Sequence, residues 1–324
     1  RDARLKTLFN LTTSADDLDR FGSRETLVRF MDGFDGVELM VCGEDARGVV
    51  PRERVFGIHM CSFPFWLDFW RGNERALIGE FGSLDECERY YGGSTRAALI
   101  DRFRQDLRAA ESYNAEYVVF HVSEASIEES FTGQYRKSDE SVIDATCELL
   151  GELFDDTTAG GPALLLENLW QPGLTFTRPE MTRRLLDGVR YPNKGLVLDT
   201  GHLFHTNESI RSQQEGLAYI HQMLDRHGAL CEYIRGVHLH QSITGPYCRA
   251  VRERPPELAK RYAERSGQMF MHAFQADLHR PFTCSGIRGL IERIDPEYLT
   301  FEFITESKAQ LEKYLKLQKK ALAE

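Results

Sequence analysis

Apolar stretches of this chain repeatedly end on a side chain that binds cations: His59, His121, Glu167, Asp199, His238 and Glu302. Imidazoles and carboxylates are disfavoured in buried strands unless they are paired or hold a metal, so their recurrence at one end of successive strands points to a common centre. His202 follows Asp199 by three residues, with Gly201 between them allowing a tight turn, and both polar side chains can then converge above the strand end. Asp277 and His279 form an Asp-x-His pair that can bind a cation as two ligands, and His202 as a third leaves positions open for water or substrate. Mixed nitrogen and oxygen donors suit zinc best, with manganese or iron as alternatives to it, rather than calcium or magnesium.

The elements that must position these residues read as strands alternating with helices. Strands are expected at 5–11, 34–41, 55–60, 117–121, 163–168, 195–199, 234–240 and 298–303, because each is a short apolar run bounded by polar or turn residues. Helical periodicity falls between them, for example over 95–113, where Ala98, Leu99, Phe103, Leu107 and Ala110 share a face. A helix is also expected over Glu257–Arg265. Eight such units make an α/β chain, a (β/α)8 TIM barrel forming a single domain over residues 1–324, with enlarged loops after strands 3 and 7. A barrel brings all its C-terminal strand ends to one mouth, so ligand-type residues far apart in sequence become neighbours. The run containing Phe63, Phe65, Trp66, Phe69 and Trp70 either packs as a lid or offers a planar group something to stack on.

Composition narrows the class. A net charge of −10 argues against a protein whose main business is coating nucleic acid, since that affinity comes from Lys and Arg neutralising phosphates. No apolar run approaches 18 residues, so no membrane span is expected. The 7 cysteines are odd in number, scattered and free of Cys-x-x-Cys pairs, which fits a reducing cytoplasm.

The set His59, His121, Glu167, Asp199, His202, His238, Asp277, His279 and Glu302, with Leu-Asp-Thr-Gly-His around strand 6, resembles the endonuclease IV family within the xylose-isomerase-like barrels (AP endonuclease family 2). The resemblance covers nearly the whole chain in strand order and implies a trinuclear metal cluster. His59, His121 and Glu167 would hold one metal; Glu167, Asp199, His238 and Glu302 a second; His202, Asp277 and His279 a third. It implies metal-dependent phosphodiester hydrolysis with Glu167 and His202 in catalytic roles, two or three divalent metal ions per chain, and a small-molecule or nucleotide phosphodiester as substrate. Abasic DNA is the family's substrate, but the loops after strands 3 and 7 are longer than the family's, and its DNA-penetrating sequences are not found. The alternative within the same barrels is a sugar isomerase or epimerase, with one metal on Glu167, Asp199, His238 and Glu302. Among the remaining candidates, His240 reads as support for a ligand and Glu38 as a substrate contact or a barrel-lining acid. His205, His221, His227 and His272 read as surface or helix residues, and Arg71, Arg75, Lys137 and Arg249 are loop cations within reach of a phosphate.

Overall fold

The computed structural model describes residues 4–43, 48–154 and 160–324. Eight parallel strands close into a barrel in sequence order: β1 (Lys6–Thr12), β2 (Gly36–Met40), β3 (Val55–His59), β4 (Tyr117–His121), β5 (Ala163–Glu167), β6 (Lys194–Asp199), β7 (Ile234–Leu239) and β8 (Tyr298–Phe301). Strand side chains alternate between the faces of the sheet, so each strand sends one set to the surrounding helices and the other into the lumen. Leu8, Tyr117, Val119, Ala163, Leu165, Val197 and Tyr298 form a separate apolar cluster. Two residues on from these interior positions come His121, Glu167 and Asp199. The same two-residue step leads from Gly57 to His59, from Gly236 to His238 and from Thr300 to Glu302. The candidate ligands are therefore the top layer of the barrel's own interior stripe. Register sets neighbours: His121 pairs with Glu167, and Asp199 with His238.

Beneath that layer Glu38 is 2% exposed and accepts from the Tyr117 hydroxyl at 2.7 Å and the Thr300 hydroxyl at 3.3 Å. Gly57 makes room for the Tyr117 ring, since a Cβ there would fall 2.2 Å from Cζ.

The loops after β3 and β7 are built rather than open. The first carries helices Leu67–Trp70, Glu74–Phe81 and Leu84–Tyr91; the second carries Gly245–Glu253 and Tyr262–Ala276. The expected helix over Glu257–Arg265 is displaced, with only its last residues helical. After Pro255 and Pro256 the backbone enters no helix or strand before Tyr262 and finds its partners on the later helix: Gln268 accepts from Ala259 N–H at 2.9 Å and donates to Glu257 O at 3.0 Å. The aromatic run packs as a lid, with Phe65, Trp66, Phe69 and Trp70 buried, Phe69 stacked on Tyr91 at 3.9 Å and the Trp66 indole donating to Ser123 O at 2.8 Å.

Glu124 ties this lid to the barrel. One carboxyl oxygen accepts from Trp66 and Leu67 N–H at 2.8 and 3.1 Å, and the other has no partner. Burial outweighs those two hydrogen bonds and raises the carboxyl from 4.5 to about 8. A folded-state pKa above the unfolded one gives stability present below pH 4.5 and lost as pH rises to about 8. Glu124→Gln is expected to gain stability relative to the parent by a few kcal/mol across that window, read as the difference in denaturant midpoints at its two ends. Parallel pH profiles for the two proteins would contradict it.

Candidate metal centre at the barrel mouth

All nine sequence-derived donors meet at the C-terminal mouth. Glu167 is fully buried, with Oε2 lying 3.2 Å from His59 Nε2 and 3.3 Å from His121 Nε2, and Oε1 lying 3.2 Å from His202 Nδ1 and 3.5 Å from His238 Nδ1. His238 Nδ1 is also 3.3 Å from Glu302 Oε2 and 3.6 Å from Asp199 Oδ2. Donor atoms lie within 4.8 Å of one another in the groups His59, His121, Glu167 and Glu167, Asp199, His238, Glu302, which share Glu167. A further group brings His202 and His279 together with His240, and Asp277 Oδ2 touches His279 Nε2 at 2.7 Å and His202 Nε2 at 3.3 Å. Asp199 and His202 thus face different groups, although their side chains approach to 3.5 Å.

His202 sits in the short helix Thr200–His205, not in a loop, and its backbone N–H caps onto Asp199 Oδ1 at 2.7 Å. Gly201 is helical too, so a tight turn is not what requires it. A Cβ there would meet His240 Cε1 at 2.0 Å. His240 itself approaches Asp199 Oδ2 at 2.8 Å and stacks on His279 at 3.8 Å with 6° between the rings. Gly201→Ala is expected to push His240 off Asp199, costing about 1–3 kcal/mol in thermal or chemical unfolding and about tenfold in metal affinity. An alanine protein with parental stability and cation binding would refute this packing argument.

Sequence reasoning missed two supports. Asn168 accepts from Asp199 N–H at 2.8 Å and donates to Asp199 O at 3.1 Å, fixing the backbone from which Asp199 projects. His205, expected at the surface or on a helix, turns its nearly buried ring inward with Nε2 3.2 Å from Asp277 Oδ1. The signal for each was only its spacing from a ligand. His227 is buried away from the mouth against Phe176, and His272 stacks on Phe131. His221 stays at the surface beside Arg293. Of the loop cations, Lys137 is paired with Asp68 at 2.7 Å and Arg249 donates to Glu208 O at 2.8 Å; neither they nor Arg71 and Arg75 line the mouth.

The residues fit resident cations. Glu167 Oε1, His238 Nδ1, His240 Nδ1 and Glu302 Oε2 are buried without hydrogen-bond partners, and such atoms cost about 1–3 kcal/mol each unless something else satisfies them. Burial favours neutral imidazole at His59, but the hydrogen bond and charge of Glu167 outweigh it and hold the ring at about 9. At His279 burial is likewise outweighed by Asp277, again at about 9. His202 and His238 are held well above the ordinary range against burial, by Asp199 with Asp277 and by Glu302 with Glu38 respectively. Protons occupy positions where cations balance the same carboxylates, so cation uptake releases protons.

A chamber of about 770 Å³ opens above these groups, with His59, His121, His202, Asp277, His279 and Glu302 along its wall. Fold and site together define a barrel whose buried His, Asp and Glu donors, grouped as a cation would need them, meet at the C-terminal mouth. A family profile described as "Xylose isomerase-like TIM barrel" matches residues 91–310, more than half of the chain, and the chain belongs to that family. No curated protein matches it. Solved structures share the fold at low identity. One is described as AsfvAP:AG, 13% identical over 98% of this chain and 98% of that one, with a TM-score of 0.51. D-allulose 3-epimerase from Methylomonas sp. is 13% identical over 99% and 96%, with a TM-score of 0.51. An L-ribulose 3-epimerase is 15% identical over 97% and 86%, with a TM-score of 0.50. Among the described residues no helix is long and apolar enough to cross a membrane.

Proposed function

We propose that this barrel is a metal-dependent hydrolase of phosphodiesters, working with two or three divalent cations, zinc first among them. The observation that carries the reading is the sharing of Glu167 between two donor groups, with a further group of His202, His240 and His279 that Asp277 touches through His279. A single cation leaves His59, His121, Asp277 and His279 without a role. When bound, divalent cations supply Lewis acidity, neutralising charge on a phosphoryl group and acidifying water.

The chain's own groups then orient and move protons. Glu167, buried and shared by two donor groups, orients the attacking water, whose proton passes to solvent as the new P–O bond forms. The ester P–O bond breaks on the opposite side, and the leaving oxygen takes up a proton from solvent. His202, held by Asn168 O at 2.9 Å through Nδ1, presents its Nε2 edge toward Asp277 at the chamber wall. Glu38 stands 3.0 Å from His238 Nε2 and fixes that ring from below.

The second reading is a sugar isomerase or epimerase with one cation on Glu167, Asp199, His238 and Glu302, a group complete in itself. Two of the three structures named above are sugar 3-epimerases, so by name the comparisons favour this reading, although at 13–15% identity they speak for fold alone. Cation content and substrate class separate the two. Two or three cations per chain with turnover of a generic aryl phosphodiester support hydrolysis. One cation per chain with turnover of a ketose, and none of the ester, replaces it by the isomerase reading.

A further inference from the structure

The loops after β3 and β7 leave from opposite sides of the barrel, because three strands lie between them on either side in a closed ring of eight. Their helices nevertheless touch. Tyr262, at the start of the helix Tyr262–Ala276, packs on Phe81 at 4.6 Å and on Tyr90 at 5.7 Å, and Arg265 donates to Glu80 O. Further along the same helix His272 stacks on Phe131 of the helix Ile127–Thr132 after β4, at 4.8 Å and 25°, and accepts or donates a 2.9 Å hydrogen bond with Tyr247. A segment rooted at β7 that reaches structures rooted at β3 and β4 has crossed the mouth. The crossing is fixed by packing: a Cβ on Gly133 would lie 2.6 Å from Arg252 Cδ, and Arg252 is itself ion-paired with Glu208.

We infer that this crossing is a roof that restricts the substrate to a small phosphodiester carrying an apolar or aromatic group, and shuts out nucleic-acid polymers. The inference rests on the hydrolase reading and names its substrate class. A chamber of about 770 Å³ matches a drug-sized molecule. Duplex recognition uses a protein face of about 1,000–2,500 Å² and several Lys or Arg side chains on phosphates. Among the described residues Arg252 is the one Lys or Arg lining this chamber, and Glu208 already neutralises it. What the walls offer instead is aromatic: Trp170 lies 4.5 Å from His205 with its ring tilted by 49° beside the donors, Phe131 comes from the helix after β4, and Phe270, 54% exposed, stands at the rim. An ester group on the metal-binding wall and a flat substituent against Trp170 or Phe131 use both halves of the chamber.

The test pairs binding with turnover in the cation-loaded protein. Phenylphosphonate is expected to quench the tryptophan fluorescence saturably, since Trp66 and Trp170 line the chamber, and an abasic-site duplex is expected to give neither quenching nor a mobility shift. Bis(p-nitrophenyl) phosphate is expected to be cleaved at least about a hundredfold faster than the duplex. Tyr262→Ala, which loosens the roof from Phe81 and Tyr90, is expected to narrow that ratio by about tenfold. Cleavage of the duplex at a comparable rate overturns the roof and leaves hydrolysis standing. Cleavage of neither ester, with one cation per chain, overturns the hydrolase reading and this inference together. Phenylphosphonate binding that survives filling the chamber by Ala273→Trp overturns the placement of the substrate beneath the roof.

Discussion

A Glu167→Gln protein is expected to fold, to hold fewer cations than its parent and to lose aryl phosphodiester hydrolysis by about a thousandfold or more. The substitution keeps the shape of the side chain while replacing one oxygen with an NH2 group that only donates. Four imidazoles crowd this carboxylate: His59, His121, His202 and His238 all lie within 3.5 Å. Burial raises the carboxyl, yet the charges of His121 and His238 outweigh it and hold the group well below the ordinary carboxylate range. A neutral amide supplies no such balance, so the two donor groups that share Glu167 lose their common member at once. Cation content by elemental analysis, turnover and a melting curve on the same preparation separate loss of the centre from loss of the fold. A glutamine protein that hydrolyses the ester at the parental rate sinks the assignment of Glu167.

Much of the centre was legible because the sequence pattern and the barrel share a period. Residues two positions beyond an interior apolar residue continue the interior face, so a charged residue there must meet its counterparts at the mouth. Barrel topology and the meeting of the six strand-end donors follow from that, while His202, Asp277 and His279 reach the centre from segments beyond the ends of β6 and β7. What was not legible depended on contacts through space. Gly201 reads locally as a turn glycine, and only the position of His240 on the neighbouring strand shows that a Cβ has no room there. His205 reads as a helix residue, and its inward turn depends on Asp277, which arrives from a helix rooted at another strand. Asn168 supports Asp199 through backbone atoms, which residue types do not reveal. The crossing of the mouth was equally hidden, since the Tyr262–Phe81 contact joins two loops whose lengths say nothing about direction.

Asp277→Asn is the substitution on which the two functional readings diverge most. Asp277 bears on His279 at 2.7 Å, His202 at 3.3 Å and His205 at 3.2 Å, all on one side of the centre, and it belongs to neither of the donor groups that share Glu167. Burial raises its carboxyl, but the charges of His279 and His202 dominate and hold it well below the usual range, so the residue is a charge partner whose loss those rings feel directly. In a polynuclear hydrolase the asparagine protein is expected to lose one cation per chain, keep those held through Glu167, and lose turnover by about a hundredfold, the effect of removing one stabiliser of transition-state charge. In a mononuclear isomerase, the complete group Glu167, Asp199, His238 and Glu302 is untouched, and one cation per chain remains before and after. Counting cations in parent and variant therefore decides between them without a known substrate: a fall by one from two or three upholds the divided centre, and an unchanged count of one refutes it.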